Sequence, residues 1–141
     1  MPATAGDADE VAALFARSRA LALPFLPVLH TAEEDRALFS RLIAGGGVTL
    51  ACEAHRLLGF MVESDGWVEH LYLDPDFHRQ GIGGRLLAAA QARQDELSLW
   101  CFAQNAAALA FYGRHGFAEM RRTAGDNEER LPDVLLHWTR G

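Results

Sequence analysis

The most informative stretch of this sequence runs from residue 70 to residue 87 and reads HLYLDPDFHRQGIGGRLL. An apolar strand is predicted to end at Leu73, because Asp74 and Pro75 are residue types that form turns. After the turn, Ile82 begins a segment with apolar residues at helical spacing, which indicates an amphipathic helix. The sequence therefore predicts a strand, a glycine-rich turn and a helix in direct succession.

The glycine-rich turn, with Gly81, Gly83 and Gly84, has the composition of an anion-binding site. The first N–H groups of a helix have no partner inside the helix, and the helix dipole adds positive potential there. Glycines leave the backbone open to a phosphate, while Arg79 and Arg85 flank the turn and can add charge-assisted hydrogen bonds. The residues alone predict phosphate or pyrophosphate binding; a turn that binds nothing is the alternative.

A dinucleotide-binding turn of the Rossmann type fits this stretch less well. That fingerprint requires a third small residue, but Leu86 stands at the corresponding position. The turn also lies in the middle of the chain, after three predicted strands, whereas the fingerprint belongs near the start of a βαβ unit.

Length and composition suit one compact domain over residues 1–141. The chain has 141 residues, 50% of them hydrophobic, and a formal net charge of −6. All 13 basic residues are arginine, and the absence of lysine excludes Schiff-base chemistry and a Walker-type phosphate loop. The acidic balance argues against a nucleic-acid partner, which requires a clustered basic surface.

The spacing of cysteine and histidine indicates neither a disulfide framework nor a metal site. Cys52 and Cys101 lie far apart, without C-x-x-C spacing, and the histidines show no ligand spacing. No apolar run approaches the length of a membrane span, and the N-terminus lacks the basic and apolar regions of a signal peptide. We therefore expect a cytoplasmic protein with no metal and no membrane partner.

Hydrophobic periodicity, caps and turns predict an α/β (α+β) domain in the order β-α-α-β-β-β-α-β-α-β-β. Capping boxes at Asp7 and Thr31 open the first two helices, and Asn105 caps the last helix. The predicted strands cover residues 2–5, 48–53, 57–63, 67–73, 97–103, 117–121 and 134–139.

With these motifs, the sequence resembles the GNAT family of N-acetyltransferases, which use acetyl-CoA. Their cofactor motif, Q/R-x-x-G-x-G/A between a strand and a helix, aligns with residues 78–83, where His78 replaces the usual glutamine or arginine. Their second signature is an asparagine, a helix with a tyrosine, and Gly-Phe. Residues 105–117 read NAAALAFYGRHGF and match it fully. The resemblance implies a GNAT-like acyl-CoA N-acyltransferase fold, with a mixed central sheet flanked by helices.

The same resemblance implies acetyl-CoA as the cosubstrate, with no metal. The family strand before the turn diverges from its neighbour, so that its backbone can pair with the pantetheine arm. The implied cofactor-binding residues are Leu71, Tyr72, Leu73, His78, Arg79, Gln80, Gly81, Ile82, Gly83, Gly84, Asn105, Ala108 and Tyr112.

For catalysis, the resemblance makes Tyr112 the general acid that protonates the leaving thiolate. Asn105, Ala108 and Tyr112 stand at i, i+3 and i+7 and so share one helix face, which would line the thiol end of the cofactor. The alternative for Tyr112 is a half-buried aromatic side chain that packs beside Phe111.

The amine substrate must lose a proton, and Glu69 is the first candidate for the general base. His70 is the second choice and Glu63 is also a candidate, although a water chain can take this role in enzymes of this kind. The alternative for Glu69 is a solvated or salt-bridged strand residue. Period-2 alternation predicts Trp67, Glu69 and Leu71 on one face of the strand and Val68, His70 and Tyr72 on the other.

The acceptor side has weaker signals. Residues 123–132 form an acidic loop at a place where many relatives shape the acceptor site, so this loop could attract an ammonium group; a solvated loop is the alternative. Phe25 and His30 could also face the acceptor.

The expected activity is acetyl transfer to a primary amine of a small molecule or peptide. The alternatives are a non-catalytic CoA-binding regulatory module and a longer acyl donor. Homodimers are common in such families.

Overall fold

The computed structural model describes residues 1–22, 24–25, 27–77 and 81–140. This part of the chain forms helices and strands in the order α1-α2-β1-β2-β3-α3-β4-α4-β5-β6. The helices are α1 (Ala8–Ala22), α2 (Ala32–Ala44), α3 (Ile82–Arg93) and α4 (Ala106–Arg114). The strands are β1 (Val48–Glu53), β2 (Arg56–Ser64), β3 (Trp67–Leu73), β4 (Glu96–Phe102), β5 (Ala118–Thr123) and β6 (Asp133–Thr139).

The strands form one mixed sheet in the order β1-β2-β3-β4-β6-β5. The β3–β4 pair is parallel, and the other neighbouring pairs are antiparallel. On one face, α1 and α2 pack on the sheet through a cluster that joins Val11 and Phe39 to Phe60. On the other face, α3 contributes Leu86 to a second cluster that includes Leu97. This mixed sheet flanked by helices confirms the predicted fold class.

The two predicted capping boxes differ in outcome. At the start of α2, the Thr31 hydroxyl accepts a hydrogen bond from the N–H of Glu34 at 3.1 Å, and the Glu34 carboxylate accepts from the N–H of Thr31 at 2.8 Å, as predicted. The predicted box at Asp7 is wrong, because its carboxylate accepts from the N–H and hydroxyl of Thr4, at 2.8 and 3.0 Å. Thr4 has the same three-residue spacing to Asp7, so the box opens the 3₁₀ turn Ala5–Asp7 that precedes α1.

The predicted first strand is reduced to a single bridge between Pro2 and Thr49. The N–H of Ala3 donates to the carbonyl of Val48 at 3.0 Å. Proline has no N–H to donate, so a longer ladder through Pro2 would lack a hydrogen bond. The chain therefore enters α1 after only brief contact with the edge strand β1.

Within the described ranges, no helix is long and apolar enough to cross a membrane. Those ranges also contain no group of three histidine, cysteine, aspartate or glutamate side chains placed to hold a metal ion.

Candidate active site

The two parallel strands at the centre of the sheet separate toward their carboxyl ends. They pair only where Trp67 faces Ser98, and the N–H of Ser98 donates to the carbonyl of Gly66 at 2.8 Å. Beyond this point β3 stays paired with β2 on its other edge, as far as Leu73 opposite Gly59. Residues 71–73 therefore present an edge that β4 does not pair. This is the divergence that the resemblance implies, and it leaves backbone groups for an extended ligand.

Gly81 forms the N-cap of α3 in the left-handed conformation, with φ of 76°. Among the described residues, no atom lies within 4 Å of the place that a Cβ on Gly81 would occupy. The N–H groups of the first helical turn, at residues 82–84, have no partner inside the helix. His78, Arg79 and Gln80 lie outside the described residues, so their contacts are expectations from the sequence alone.

Gly83 and Gly84 have a second role that the sequence did not reveal, because they allow α4 to approach α3. A Cβ on Gly83 would lie 3.3 Å from both the Leu73 and Phe111 side chains. On Gly84 it would lie 3.1 Å from Nε2 of His115. The glycines therefore serve the packing of the two helices as well as the open backbone.

Tyr112 lies in α4, facing the cluster under the separated strands. Its ring packs edge-to-face on the rings of Phe111 and Phe117, with centroids 5.2 and 5.5 Å away. Burial raises the pKa of its phenol strongly, and the nearby Cys101 and Tyr72 side chains raise it further. The hydroxyl therefore stays protonated at neutral pH, in the state that a proton donor requires.

Asn105 acts as the predicted cap of α4. Its side-chain oxygen accepts a hydrogen bond from the N–H of Ala108 at 3.2 Å, while its carbonyl accepts from the N–H of Leu109 at 3.1 Å. Ala108 packs against the same cluster as Tyr112. The cap fixes the start of α4 and hence the direction from which Tyr112 enters the cluster.

The alternation predicted for β3 is wrong, because a bulge interrupts it. Val62 pairs with His70 but Glu63 pairs with Val68, which leaves Glu69 as an extra residue in β3. Val68 consequently faces the α3 side of the sheet. His70 packs instead on the α1 side, between Phe15 and Phe39 at 5.7 and 5.3 Å. Tyr72 also packs there, with its ring 5.0 Å from that of Phe15.

The three candidate bases have different surroundings. Glu69 is exposed at the bulge, just past the point where β3 and β4 stop pairing. Burial in the aromatic cluster lowers the pKa of His70 from 6.5 to about 4, with the charge of Arg19 acting in the same direction, so His70 is a weak proton acceptor. Glu63 is bound at the far end of α3 by Arg93 at 3.5 Å and by the Gln94 amide at 3.3 Å. Glu69 is therefore the best placed of the three.

The acidic loop between β5 and β6 is held by basic side chains of α1 and of the segment that follows α1. Glu129 pairs with Arg19 of α1 at 3.5 Å, and both side chains are mostly buried. Glu128 forms an ion pair with His30, which also lies 3.7 Å from Glu34. Two of the three carboxylates in this loop therefore already have a basic partner, Arg19 or His30, so the loop has fewer carboxylates available for an ammonium group than its composition predicts. Asp126 is the exposed third carboxylate.

A cavity of about 290 Å³ lies between this loop and the end of β4. Trp100 and Phe102 form aromatic parts of its lining, and Asp126 and Glu129 contribute carboxylates. Phe25 does not line the cavity but packs on Phe102, with ring centroids 6.2 Å apart. Cys101 also lines the cavity and lies close enough to Tyr112 to influence its pKa. The cavity therefore shares Cys101 with the surroundings of Tyr112.

Comparison with known proteins gave consistent matches. The family model described as acetyltransferase (GNAT) domain matches residues 29–119. The peptidyl-lysine N-acetyltransferase YiaC of Escherichia coli (strain K12) is 31% identical over 87 residues, covering 61% of this chain and 59% of YiaC. The chain thus matches less than two thirds of that relative. The peptidyl-lysine N-acetyltransferase YjaB of the same organism is 27% identical over 121 residues, covering 86% of this chain and 82% of YjaB.

Solved structures show the same fold. The solution structure of apo YjaB from Escherichia coli has a TM-score of 0.80 at 24% identity, covering 99% of this chain and 95% of that one. The PaiA N-acetyltransferase from Thermoplasma acidophilum, in complex with coenzyme A, has a TM-score of 0.70 at 16% identity, covering 99% and 97%. Since the family model covers more than half of the sequence, the chain belongs to the GNAT acetyltransferase family.

Proposed function

We propose that residues 1–141 act as one N-acetyltransferase domain that transfers the acetyl group of acetyl-CoA to a primary amine. The observation that carries this proposal is the gap between β3 and β4, which opens beside the glycine-capped start of α3. Tyr112 lies close to Tyr72 of β3 and to Cys101 of β4. Membership of the GNAT family supports it, and so does the structural neighbour that was solved with coenzyme A.

The donor would lie along the unpaired edge of β3. The backbone of residues 71–73 would pair with the pantetheine arm, and the N–H groups of residues 82–84 would hold the pyrophosphate. The conformation of Gly81 fits this role, because an added Cβ there would meet no atom of the described residues within 4 Å. His78, Arg79 and Gln80 would add contacts at the same turn.

The transfer would proceed by direct attack of the neutral amine on the thioester carbonyl. A C–N bond forms, and backbone N–H groups of β3 stabilise the oxyanion of the tetrahedral intermediate. The C–S bond then breaks, and the thiolate takes the proton of the Tyr112 hydroxyl. Glu69 accepts the proton that the attacking nitrogen loses, either directly or through water. Proton exchange with water then returns Tyr112 to its hydroxyl form and Glu69 to its carboxylate form. Its exposed position at the bulge allows both routes.

The acceptor would enter through the cavity beside β4. Its aromatic side chains and the exposed carboxylate of Asp126 suit an alkylammonium group, because aromatic faces and a carboxylate both attract a cation. The two relatives from Escherichia coli are named peptidyl-lysine N-acetyltransferases, so a lysine side chain in a peptide is the first acceptor to examine.

Two measurements test the proposal. Titration calorimetry with CoA should show binding to the purified chain, and absence of binding would refute a CoA-dependent activity. A thiol-release assay with acetyl-CoA should then show turnover with at least one member of a panel of lysine peptides, polyamines, amino acids and aminoglycosides. Binding without thiol release for any amine would identify a non-catalytic module instead. Faster release from butyryl-CoA than from acetyl-CoA would identify a longer acyl donor.

A further inference from the structure

Asp74 is a fully buried carboxylate that none of the proposed chemical steps uses. It follows the last residue of β3, and its side chain is only 1% exposed. Arg17 of α1 donates to it at 2.8 Å, and Arg56, at the start of β2, donates at 3.3 Å. Its own N–H donates to the carbonyl of Leu58 at 2.7 Å. The end of β3 is thereby joined to α1 and β2.

The same residue also holds the chain that leads toward α3. The side chain of Asp74 accepts a hydrogen bond from the N–H of Asp76 at 3.0 Å, and its carbonyl accepts from the N–H of Phe77 at 2.9 Å. These bonds form the 3₁₀ turn Pro75–Phe77. Arg56 extends the cluster, because its guanidinium lies 4.6 Å from the centre of the Phe77 ring.

Burying the Asp74 carboxylate costs desolvation energy. This cost indicates that the position of the end of β3 is important. A buried carboxylate loses its hydration, and an ion pair returns that energy only when the geometry is good and the remaining lone pairs are filled. Burial alone would raise the pKa of Asp74, but the bonds from Asp76, Arg17 and Arg56 hold it below its usual value. The anchored segment is the one whose other edge, toward β4, has no pairing strand.

We infer that Asp74 is a positioning residue for the CoA site. By joining the end of β3 and the following turn to α1 and β2, it holds the unpaired edge of β3 at a fixed separation from the start of α3. The pantetheine arm and the pyrophosphate must reach both elements at once, so an error in that separation weakens CoA binding. This inference rests on the proposed function.

The sign of one mutational effect separates positioning from simple electrostatics. In Asp74→Asn, the site loses a negative charge next to an anionic ligand, which by Coulomb's law alone would strengthen CoA binding. Positioning predicts the opposite. We expect the Kd for CoA, measured by titration calorimetry, to rise about tenfold, since small misplacements in a site are costly. We also expect the KM for acetyl-CoA to rise while kcat at saturation changes by less than about twofold. An unchanged or lower Kd would overturn the inference.

Asp133→Asn is the matched control. Asp133 is also buried, at 6% exposure, and accepts hydrogen bonds from Thr123 and, at 2.9 Å, from Asn127. It lies on β6, in the lining of the proposed acceptor cavity and away from the glycine turn, so CoA affinity is the property to compare. We expect both variants to have lower melting temperatures, while Asp133→Asn keeps the CoA affinity of the wild type. Equal loss of CoA affinity in both would show a general effect of destabilisation and would overturn the inference.

Arg17→Gln provides a test that remains available if Asp74→Asn does not fold. The Arg17 side chain is 46% exposed, so its loss is tolerated more easily. If Arg17 acts through Asp74, CoA affinity falls but keeps the salt dependence of the wild type. A weaker salt dependence would mean that Arg17 contacts the phosphates directly, which contradicts the inference. Failure of the wild type to bind CoA would remove the proposed function as well, whereas a wild type that binds beside an unaffected Asp74→Asn would remove the inference alone.

Discussion

Replacing His70 by phenylalanine should make the free energy of unfolding less dependent on pH in the acidic range. The imidazole lies in an aromatic cluster with Phe15, Phe39 and Tyr72, where ring centroids are 5.7, 5.3 and 6.1 Å away. Burial, with the positive charge of Arg19, lowers the pKa of His70 from 6.5 to about 4. Between pH 6.5 and about pH 4, His70 therefore stays neutral in the folded state, whereas the same side chain binds a proton in the unfolded chain.

The sign and size of the effect follow from this difference in pKa. Between pH 6.5 and about pH 4 the unfolded state binds more protons, so stability rises with pH across this window and falls as the solution is acidified. The full difference corresponds to about 3 kcal/mol. Between pH 7.5 and pH 5, linkage gives a loss of about 2 kcal/mol from this one group.

Urea unfolding of the wild type and His70→Phe at the two pH values measures this loss. We expect the wild type to lose about 2 kcal/mol more than His70→Phe on going from pH 7.5 to pH 5. His30→Gln is the control, because the Glu128 carboxylate raises the pKa of the exposed His30. That contribution stabilises the fold at low pH, so its removal should steepen the decline. If the free energy of unfolding has the same pH dependence in the wild type and in His70→Phe, the conclusion that the folded protein keeps His70 neutral is wrong.

Three further substitutions test the site. Tyr112→Phe should lower kcat by about 10²-fold in the thiol-release assay while the Kd for CoA stays the same, because only proton donation is lost; an unchanged kcat would exclude the acid role. Glu69→Gln should lower turnover about tenfold or more at pH 7, and the deficit should shrink at higher pH as the amine deprotonates without help. A deficit that is constant with pH would contradict a base at Glu69. Gly83→Ala should lower the free energy of unfolding by about 1–3 kcal/mol, measured with urea, because its Cβ would lie 3.3 Å from Leu73 and Phe111. An unchanged free energy of unfolding in this variant would mean that α3 and α4 can move apart without loss of stability.

Much of the architecture is predictable from local sequence. The capping box at Thr31 and the cap at Asn105 each depend on residues within one helical turn, and both are present in the structure. The glycine-rich turn is local in the same sense, because Gly81 occupies a left-handed position that other residues rarely adopt. Elements of this kind follow from the chemistry of a few neighbouring residues, so a single sequence suffices to place them.

The features that the sequence did not predict depend on distant partners. The bulge at Glu69 arises from the way β3 pairs with β2, and without that pairing strict alternation is the only available assumption. The ion pair between Asp74 and Arg17 joins residues 57 positions apart, and the pair between Arg19 and Glu129 joins α1 to a loop near the end of the chain. A separation of this size leaves no periodic signal in the sequence.

These distant contacts have one helix in common. Within α1, Arg17 binds the carboxylate at the end of β3, Phe15 packs on His70 and Tyr72 in the middle of that strand, and Arg19 holds Glu129 of the acceptor-side loop. Since β4 does not pair with the carboxyl half of β3, the width of the gap is determined by what holds β3 from its other sides. Helix α1 is therefore the element that positions β3 and the loop between β5 and β6 relative to each other. In the proposed acetyl transfer its contribution would be geometric, because none of these three side chains takes part in a chemical step.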